Sequence, residues 1–232
     1  MQKKQAKVKV VNNNVENSSY LEKIFHEATN NYKYRWGINK LEIFLKKHPV
    51  LTKNVDVLYK LGLLYDHLAI REKNKRQVHE KKAFGLYKKA LKYNPDYFRA
   101  VWGIGRIWWH RRSKKAIPYA IKAYRLAKKS KPDYGINAQC VGLVYEALDD
   151  YKNAEKWLLK GIEIEPKNWG CYLNLVGFYR LTKQFSKSKF YAKKLETLFK
   201  KESKEFKKTL WGQKILISIR DADKEPEKKK GG

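Results

Sequence analysis

The chain has 232 residues, 43% hydrophobic and 14% aromatic, a composition that supports a folded core and excludes a wholly disordered protein. Its 53 lysine and arginine residues face 23 acidic residues, which gives a net charge of +30. No apolar stretch reaches the roughly 18 residues of a membrane-spanning helix, and no apolar block follows the basic N-terminus, so we expect neither a span nor a secretory signal. The two cysteines, Cys140 and Cys171, are too few for a disulfide framework, and we expect free thiols in a cytoplasmic protein.

The positive charge is concentrated in one part of the chain. Residues 71–132 contain 20 lysine and arginine residues against 3 acidic ones, whereas residues 133–166 contain 3 against 7. A surface that is charged only for solubility mixes both signs. The imbalance favours an anionic partner, such as an acidic protein or a nucleic acid, for the basic part of the chain.

The first predicted elements lie before the clearest sequence pattern. We predict that the basic segment 1–14 is disordered and that residues 15–50 form a divergent pair of helices. Apolar residues from Leu21 to Ala28, and again around Leu41, recur at the three- and four-residue spacing of a helix face.

Three segments that follow share one spacing. They read Ala83-x3-Tyr87-x2-Ala90-x4-Pro95, Ala120-x3-Tyr124-x2-Ala127-x4-Pro132 and Ala154-x3-Leu158-x2-Gly161-x4-Pro166. Each predicts a helix that packs by small and large residues on one face and ends at a proline. An apolar helix centred on a glycine precedes each of them, and the glycine lets the partner helix approach its backbone. The chain therefore repeats one helix pair.

We place the elements in chain order as helix pairs 54–97, 98–133 and 134–167, a degenerate pair 168–201, a capping helix 203–220 and a disordered charged tail 221–232. Gly62 and Ala83 are 21 positions apart, whereas Gly142 and Ala154 are 12 apart. The first pair therefore carries a nine-residue insertion, which we expect between its two helices.

This pattern resembles the tetratricopeptide repeat, whose period of 34 residues equals the separation of Pro132 and Pro166. The resemblance implies an all-α, right-handed solenoid of stacked antiparallel helix pairs with a C-terminal capping helix. It also implies that the first helix of each pair lines a concave groove.

The resemblance places a partner-binding site in that groove. Its candidate residues are Tyr59, Arg99, Trp102, Arg106, Trp109, Gln139, Leu143, Leu173 and Arg180. Tryptophan and arginine are enriched at binding hot spots, so we expect a non-catalytic adaptor that holds a peptide or a helix of a protein partner. The alternative for Trp102 and Trp109 is that one or both pack inside the array.

A second candidate function uses the basic residues of the second helices and of the adjoining turns. These residues are Lys88, Lys89, Lys92, Arg111, Arg112, Lys114, Lys115, Lys122, Arg125, Lys128 and Lys129. Such a stripe could follow the phosphates of nucleic acid or of the ribosome, or it could be only a solvated outer face. Attachment to anionic lipid shares the charge argument but lacks, in the sequence, an amphipathic anchor with exposed aromatic residues.

The sequence contains no catalytic motif. A phosphate-binding loop, a His-Glu-x-x-His pair and a Gly-x-Ser-x-Gly turn are all missing, and the five histidines are scattered. We therefore predict no enzyme activity, no cofactor and no metal site, and a chain that acts as a monomer or within a larger complex.

Overall fold

The computed structural model describes residues 19–130 and 134–224. Within these ranges every regular element is a helix, which confirms the predicted all-α class. Contacts divide the chain into two compact units, Met1–Gly103 and Ile104–Gly232, and the boundary lies inside the helix Phe98–His110. The predicted disorder of residues 1–14 and 225–232 falls outside the described residues.

The first unit is built from consecutive helices joined by short connections. They are α1 at 19–30, α2 at Tyr34–Lys47, α3 at Val55–Arg71, α4 at Arg76–Tyr93 and the first half of α5, which spans Phe98–His110. Short 3₁₀ turns at Pro49–Lys53 and Lys73–Lys75 join α2 to α3 and α3 to α4.

The centre of the first unit is the ring of Tyr87, which is fully buried. A Cβ atom on Gly62 of α3 would lie 2.7 Å from this ring, and a Cβ atom on Gly103 of α5 would lie 2.6 Å from it. Both distances are shorter than any ordinary contact, so only glycine leaves room for the tyrosine. The glycine and tyrosine of the repeated pattern are therefore partners across helices.

The nine-residue insertion does not form the separate connection that we expected between α3 and α4. Instead the two helices are 17 and 18 residues long, and one 3₁₀ turn joins them. Glu72 fixes this turn, because Arg35 of α2 donates two hydrogen bonds of 2.6 Å to its carboxylate and His79 Nε2 lies 2.9 Å from it. These partners, led by Arg35, also lower the pKa of the Glu72 carboxyl. The inserted residues therefore extend the two helices, and the short turn between them is held by a contact with α2.

The second unit contains the rest of α5 and seven further helices. They are α6 at Ala116–Ser130, α7 at Gly135–Ala147, α8 at Tyr151–Ile164, α9 at Trp169–Leu181, α10 at Phe185–Phe199, α11 at Lys204–Lys208 and α12 at Leu210–Arg220. We call α3, α5, α7 and α9 the first helices, and α4, α6, α8 and α10 the second helices.

The turns after α5, α7 and α9 have the same backbone geometry. Arg112, Asp149 and Lys183 have positive φ angles of 49°, 61° and 58°. One residue later, the amide of Ser113, Asp150 or Gln184 donates a hydrogen bond to the carbonyl five residues back, which is the Schellman type of helix end. The acceptors belong to Trp108, Tyr145 and Tyr179, the aromatic residues at one equivalent position of the three first helices. Three helix ends of the second unit thus repeat in one register.

The C-terminal helices differ from the single capping helix predicted at 203–220. The helical conformation is interrupted at Thr209, which has an extended backbone and separates α11 from α12. Its hydroxyl accepts a hydrogen bond from the amide of Gly212 at the start of α12. Ile215 of α12 is fully buried in a core that α9 and α10 also form. Residues 221–224, predicted to be disordered, form a turn instead, because Ala222 is buried in the same core.

Candidate functional site

The first unit holds three of the predicted groove residues, namely Tyr59, Arg99 and Trp102, and each of them is half-buried. Arg99 Nη1 lies 3.4 Å from Asp56 Oδ1, and the hydroxyl of Tyr97 donates a hydrogen bond of 2.7 Å to the same oxygen. The ring of Tyr59 meets the ring of Tyr97 edge to face, with centroids 6.1 Å apart. Aromatic rings and an arginine thus surround one carboxylate on this face.

Sequence reasoning missed Asp56 and Tyr97, which organise this cluster. Burial opposes ionisation of Asp56, but hydrogen bonds from Lys60 and Tyr97 outweigh it and lower the pKa of the carboxyl. Burial and the neighbouring carboxylate raise the pKa of Tyr97, so its hydroxyl stays a donor. The available signal was the position of Asp56 in the first turn of α3, next to the cap residue Asn54.

Lys60 adds a buried cation behind the same face. It is 7% exposed and forms ion pairs with Asp56 and with Glu22 of α1. A buried ammonium group is stable only when anions compensate its charge. Asp56 therefore serves two cations, Lys60 inside and Arg99 at the surface, and Arg99 remains available to a second anion.

The second unit holds the other predicted groove residues, and most of them have structural contacts of their own. The indole of Trp109 donates a hydrogen bond of 3.0 Å to the carbonyl of Leu143 and packs on the ring of His110. Leu143 and Leu173 are half-buried against the helix cores, and Arg180 donates to the carbonyl of Lys224 at 3.2 Å. For Trp109 these contacts favour the packing alternative over a role in gripping a partner.

Gln139 does not line a groove, and this prediction is wrong. Its side chain is fully buried. The amide nitrogen donates to the carbonyls of Leu158 at 3.2 Å and Cys171 at 2.7 Å, and the amide oxygen accepts from Asn174 at 2.8 Å. Gly161 makes this possible, because a Cβ atom there would lie 2.2 Å from Gln139 Cγ.

Gly161 stands at a position where α4 and α6 carry the buried alanines Ala90 and Ala127. The loss of one methyl group opens the space into which the glutamine turns. The pairing of a polar residue on the first helix with a missing alanine on the second was the signal that sequence reasoning did not use.

Two other groups of the second unit bear on its chemistry. Arg106 is half-buried and close enough to Cys140 to favour its thiolate, yet burial dominates and raises the pKa of the Cys140 thiol to about 12. Burial likewise raises the pKa of Cys171 to about 12, and both cysteines are free thiols. Burial also raises the pKa of Glu146 to about 7, so this carboxyl is partly protonated at neutral pH.

All eleven residues predicted for the basic face are exposed. Lys88, Lys89 and Lys92 lie on α4 in the first unit, and the other eight lie in the second unit. Four of these residues lie on α6, a helix that contains no acidic residue, namely Lys122, Arg125, Lys128 and Lys129.

The turn before α6 adds a different arrangement. Arg111 and Lys115 flank the ring of Trp108, with the guanidinium carbon 5.6 Å and the ammonium nitrogen 4.9 Å from the ring centre. Arg112 pairs with Asp149 at 2.7 Å, so one of the predicted anion-binding residues already has an acidic partner. The basic surface of the second unit therefore continues from this turn along α6, and only the turn has an acidic partner among these contacts.

The described part of the chain lacks a metal-ligand cluster and a membrane-spanning helix. No three side chains of His, Cys, Asp or Glu come together there as a set of metal ligands. None of the helices described combines the length and the apolar character that crossing a bilayer requires.

Residues 141–168 match the family model of the tetratricopeptide repeat. Similar solved structures include PilW, described as a widely conserved type IV pilus biogenesis factor, with 20% identity and a TM-score of 0.57 over 89% of this chain and 88% of that one. PilF of Pseudomonas aeruginosa has 14% identity and a TM-score of 0.56, over 89% and 86% of the two chains. MamA of Desulfovibrio magneticus RS-1 has 15% identity and a TM-score of 0.45, over 79% and 94%. No curated protein sequence matches the chain.

At these identities the structures of PilW and PilF show a shared helical fold. The family match covers the second half of α7 and all of α8, the pair with the most regular sequence spacing. The chain therefore carries a tetratricopeptide repeat at residues 141–168, and the resemblance read from its sequence is confirmed.

Proposed function

We propose that the chain is a non-catalytic scaffold that binds a partner protein through the exposed side chains of α3 and of the first half of α5, in its first unit. The observation that carries this proposal is the cluster on the first unit, where Arg99 lies beside Asp56 and Tyr59, with Trp102 three residues further along α5. Positions three apart on a helix share a face, so Arg99 and Trp102 can contact one ligand together. Half-exposed arginine and aromatic side chains are the usual anchors of protein interfaces.

The chemistry of this cluster favours a peptide or helix that carries a carboxylate next to an apolar side chain. Arg99 is 40% exposed and engages Asp56 through one nitrogen, at 3.4 Å. A guanidinium group has five N–H donors, so further donors can serve a ligand carboxylate. Tyr59 and Trp102 supply ring surface for the neighbouring apolar side chain. The proposal includes a cytoplasmic location for the chain, which acts as a monomer or as one subunit of a larger complex.

Alanine at both Arg99 and Trp102 is expected to weaken capture of the partner by about tenfold or more, because hot-spot residues contribute most of the energy of an interface. Affinity purification from the native cell, quantified against the unmodified chain, measures this loss. The matched control replaces Lys81 and Tyr93, two exposed residues of α4 in the same unit, and should leave capture unchanged. Equal capture by both double variants would remove the first-helix face from the proposal.

The second candidate function is binding of nucleic acid through the basic surface of the second unit. It is supported by α6, on which Lys122, Arg125, Lys128 and Lys129 are all exposed and no acid is present. Positive side chains that replace condensed counterions bind a phosphate backbone with an affinity that falls steeply as salt rises.

Glutamine at these four positions is expected to reduce the slope of log affinity against log salt by up to about 3 for a single-stranded RNA probe, since each phosphate contact contributes about 0.7. Fluorescence anisotropy with polyuridine over a salt series measures the slope. A control variant with glutamine at Lys152, Lys156 and Lys160 removes exposed charge from α8, where acidic residues are also present. If both variants lower the slope by the same amount for each positive residue replaced, net charge rather than the α6 surface accounts for binding.

A further inference from the structure

The helix α12 presents four large apolar side chains that the described part of the chain covers only in part. Leu210, Trp211, Leu216 and Ile217 of α12 are 47%, 39%, 43% and 47% exposed. Their neighbour Ile215 is fully buried, so the helix is firmly seated while its other sides face outward. Leu210 and Ile217 are two helical turns apart and share the outermost side, and the other two residues lie on its flanks.

The surroundings of this apolar face are strongly basic. Residues 200–224 contain eight lysine and arginine residues against four acidic ones, and α12 itself has no acidic residue. Arg220 at the end of α12 pairs with Asp221 at 2.9 Å, whereas the lysines of α11 and Lys214 of α12 precede the two aspartates. The ammonium nitrogen of Lys214 lies 5.6 Å from the centre of the Trp211 ring. Lysine and arginine carry their charge on long apolar stems, so they can reach past a buried apolar face into a polar layer.

These two properties together restrict the occupant of the face. A second copy of the chain would bring two basic rims of the same sign together, on a protein whose net charge is already +30. An apolar surface with a cationic rim instead matches a layer whose edge is anionic and whose interior is apolar. Tryptophan, leucine and isoleucine beside lysine and arginine are the residues that helices use in the plane of a membrane interface.

We propose that α12 is a peripheral membrane-binding helix that docks on anionic lipid. Leu210 and Ile217 enter the acyl boundary, Trp211 lies at the level of the headgroups, and the exposed lysines of α11 and α12 contact lipid phosphates, namely Lys204, Lys208 and Lys214. From the sequence alone, attachment to anionic lipid lacked an amphipathic anchor with an exposed aromatic residue. The exposed Trp211 of α12 supplies that residue.

The test is sedimentation of the full chain with vesicles of phosphatidylcholine, with and without phosphatidylserine. Serine at both Leu210 and Ile217 is expected to weaken binding to the anionic vesicles by about tenfold or more, because the two apolar side chains that insert are removed. The matched control places serine at Ile43 and Val50, which are 52% and 85% exposed in the first unit, and should bind like the unmodified chain. Binding to the neutral vesicles should be much weaker for all three proteins.

A second measurement does not depend on the double variant retaining its fold. An environment-sensitive dye on cysteine at position 217 should shift to shorter wavelength with anionic vesicles, and the same dye at position 50 should not. The proposal is overturned if the unmodified chain fails to bind anionic vesicles, if the serine variant binds as well as the control, or if both dyes respond alike. It is also overturned if light scattering shows that the unmodified chain is a dimer and the serine variant a monomer, because a second copy would then occupy the face.

Discussion

Replacement of Gly135 by alanine is expected to lower the free energy of unfolding by about 2–3 kcal/mol, the usual cost of forcing extra atoms into a packed site. Gly135 begins α7 against the end of α8, and a Cβ atom on it would lie 2.4 Å from the carbonyl oxygen of Gly161 and 2.8 Å from Glu165 Cβ. The first contact is with backbone, which cannot rotate away as a side chain can. The two helices would have to separate, and the buried contacts around them would loosen.

Gly177 provides the matched control, because alanine there meets nothing within 4 Å. It lies inside α9 of the same unit and is exposed. Alanine at this position is expected to raise the free energy of unfolding by up to about 1 kcal/mol, the difference in helix propensity between the two residues. The same replacement of glycine by alanine is therefore expected to lower the free energy of unfolding at Gly135 and to raise it at Gly177.

Urea denaturation followed by circular dichroism measures both variants, and hydrogen exchange of the α7 and α8 amides locates the effect. A stabilising or neutral Gly135→Ala variant would mean that α7 and α8 do not approach as closely as the structure describes. A destabilising Gly177→Ala variant would contradict the exposure of that face of α9.

The parts of the fold that the sequence predicted are those that depend on the volume of paired residues. The repeated glycine and tyrosine positions predicted close helix pairs, and Tyr87 does fill the space beside Gly62. The third pair works in the same way, since a Cβ atom on Gly142 would lie 2.8 Å from Leu158 Cγ. A small residue facing a large one is visible in one sequence once the period is known.

Other features depended on interactions between segments far apart in the chain. In the first pair, the short turn between the two lengthened helices is held by hydrogen bonds from Arg35 to Glu72, and Arg35 lies 37 residues earlier. Trp109 packed inward because the carbonyl of Leu143, 34 residues later, was within reach of its indole nitrogen. Periodicity identifies the face of a helix on which a residue lies, but it does not identify the partner that the residue meets there.

The candidate site was predicted least well where the size of one residue determines whether the side chain of another is buried or exposed. Tyr59, Trp102 and Gln139 occupy equivalent positions on three first helices. The first two are half-buried, whereas Gln139 is fully buried beside the side-chain-free Gly161. The exposed apolar residues of α12 were missed as well, because the spacing of apolar residues does not show which of them a neighbouring helix covers.

Replacement of Gln139 by glutamate is expected to lower the free energy of unfolding at neutral pH by about 3–5 kcal/mol, the cost of an uncompensated buried charge. Glutamate has nearly the same shape, but its carboxylate has no hydrogen to donate to the carbonyls of Leu158 and Cys171. Two carbonyl oxygens would then face a negative charge in a fully buried site. Leucine at this position is expected to cost about 2–3 kcal/mol, since it leaves the two carbonyls without their donor but adds no charge.

The two variants should differ in their dependence on pH. The introduced carboxyl of Gln139→Glu can donate one hydrogen bond when it is protonated, so folding raises its pKa above the ordinary glutamate value of about 4.3. A group whose pKa is raised on folding contributes stability below its unfolded pKa and loses that contribution as pH rises through the folded pKa. The deficit of Gln139→Glu relative to the unmodified chain should therefore be smallest near pH 4 and should grow toward pH 7. The deficit of Gln139→Leu should stay constant, because no group that titrates has been added.

Urea denaturation at several pH values separates these cases, with Gln77→Glu on the exposed side of α4 as the control. That variant should remain within about 0.5 kcal/mol of the unmodified chain, as surface substitutions usually do. If Gln139→Glu behaved like Gln77→Glu, the side chain would lie in solvent and the groove position read from the sequence would be correct after all. A large deficit that grows with pH requires a buried amide instead, and the carbonyl groups of Leu158 and Cys171 then depend on Gln139 for the hydrogen bonds that join α7, α8 and α9.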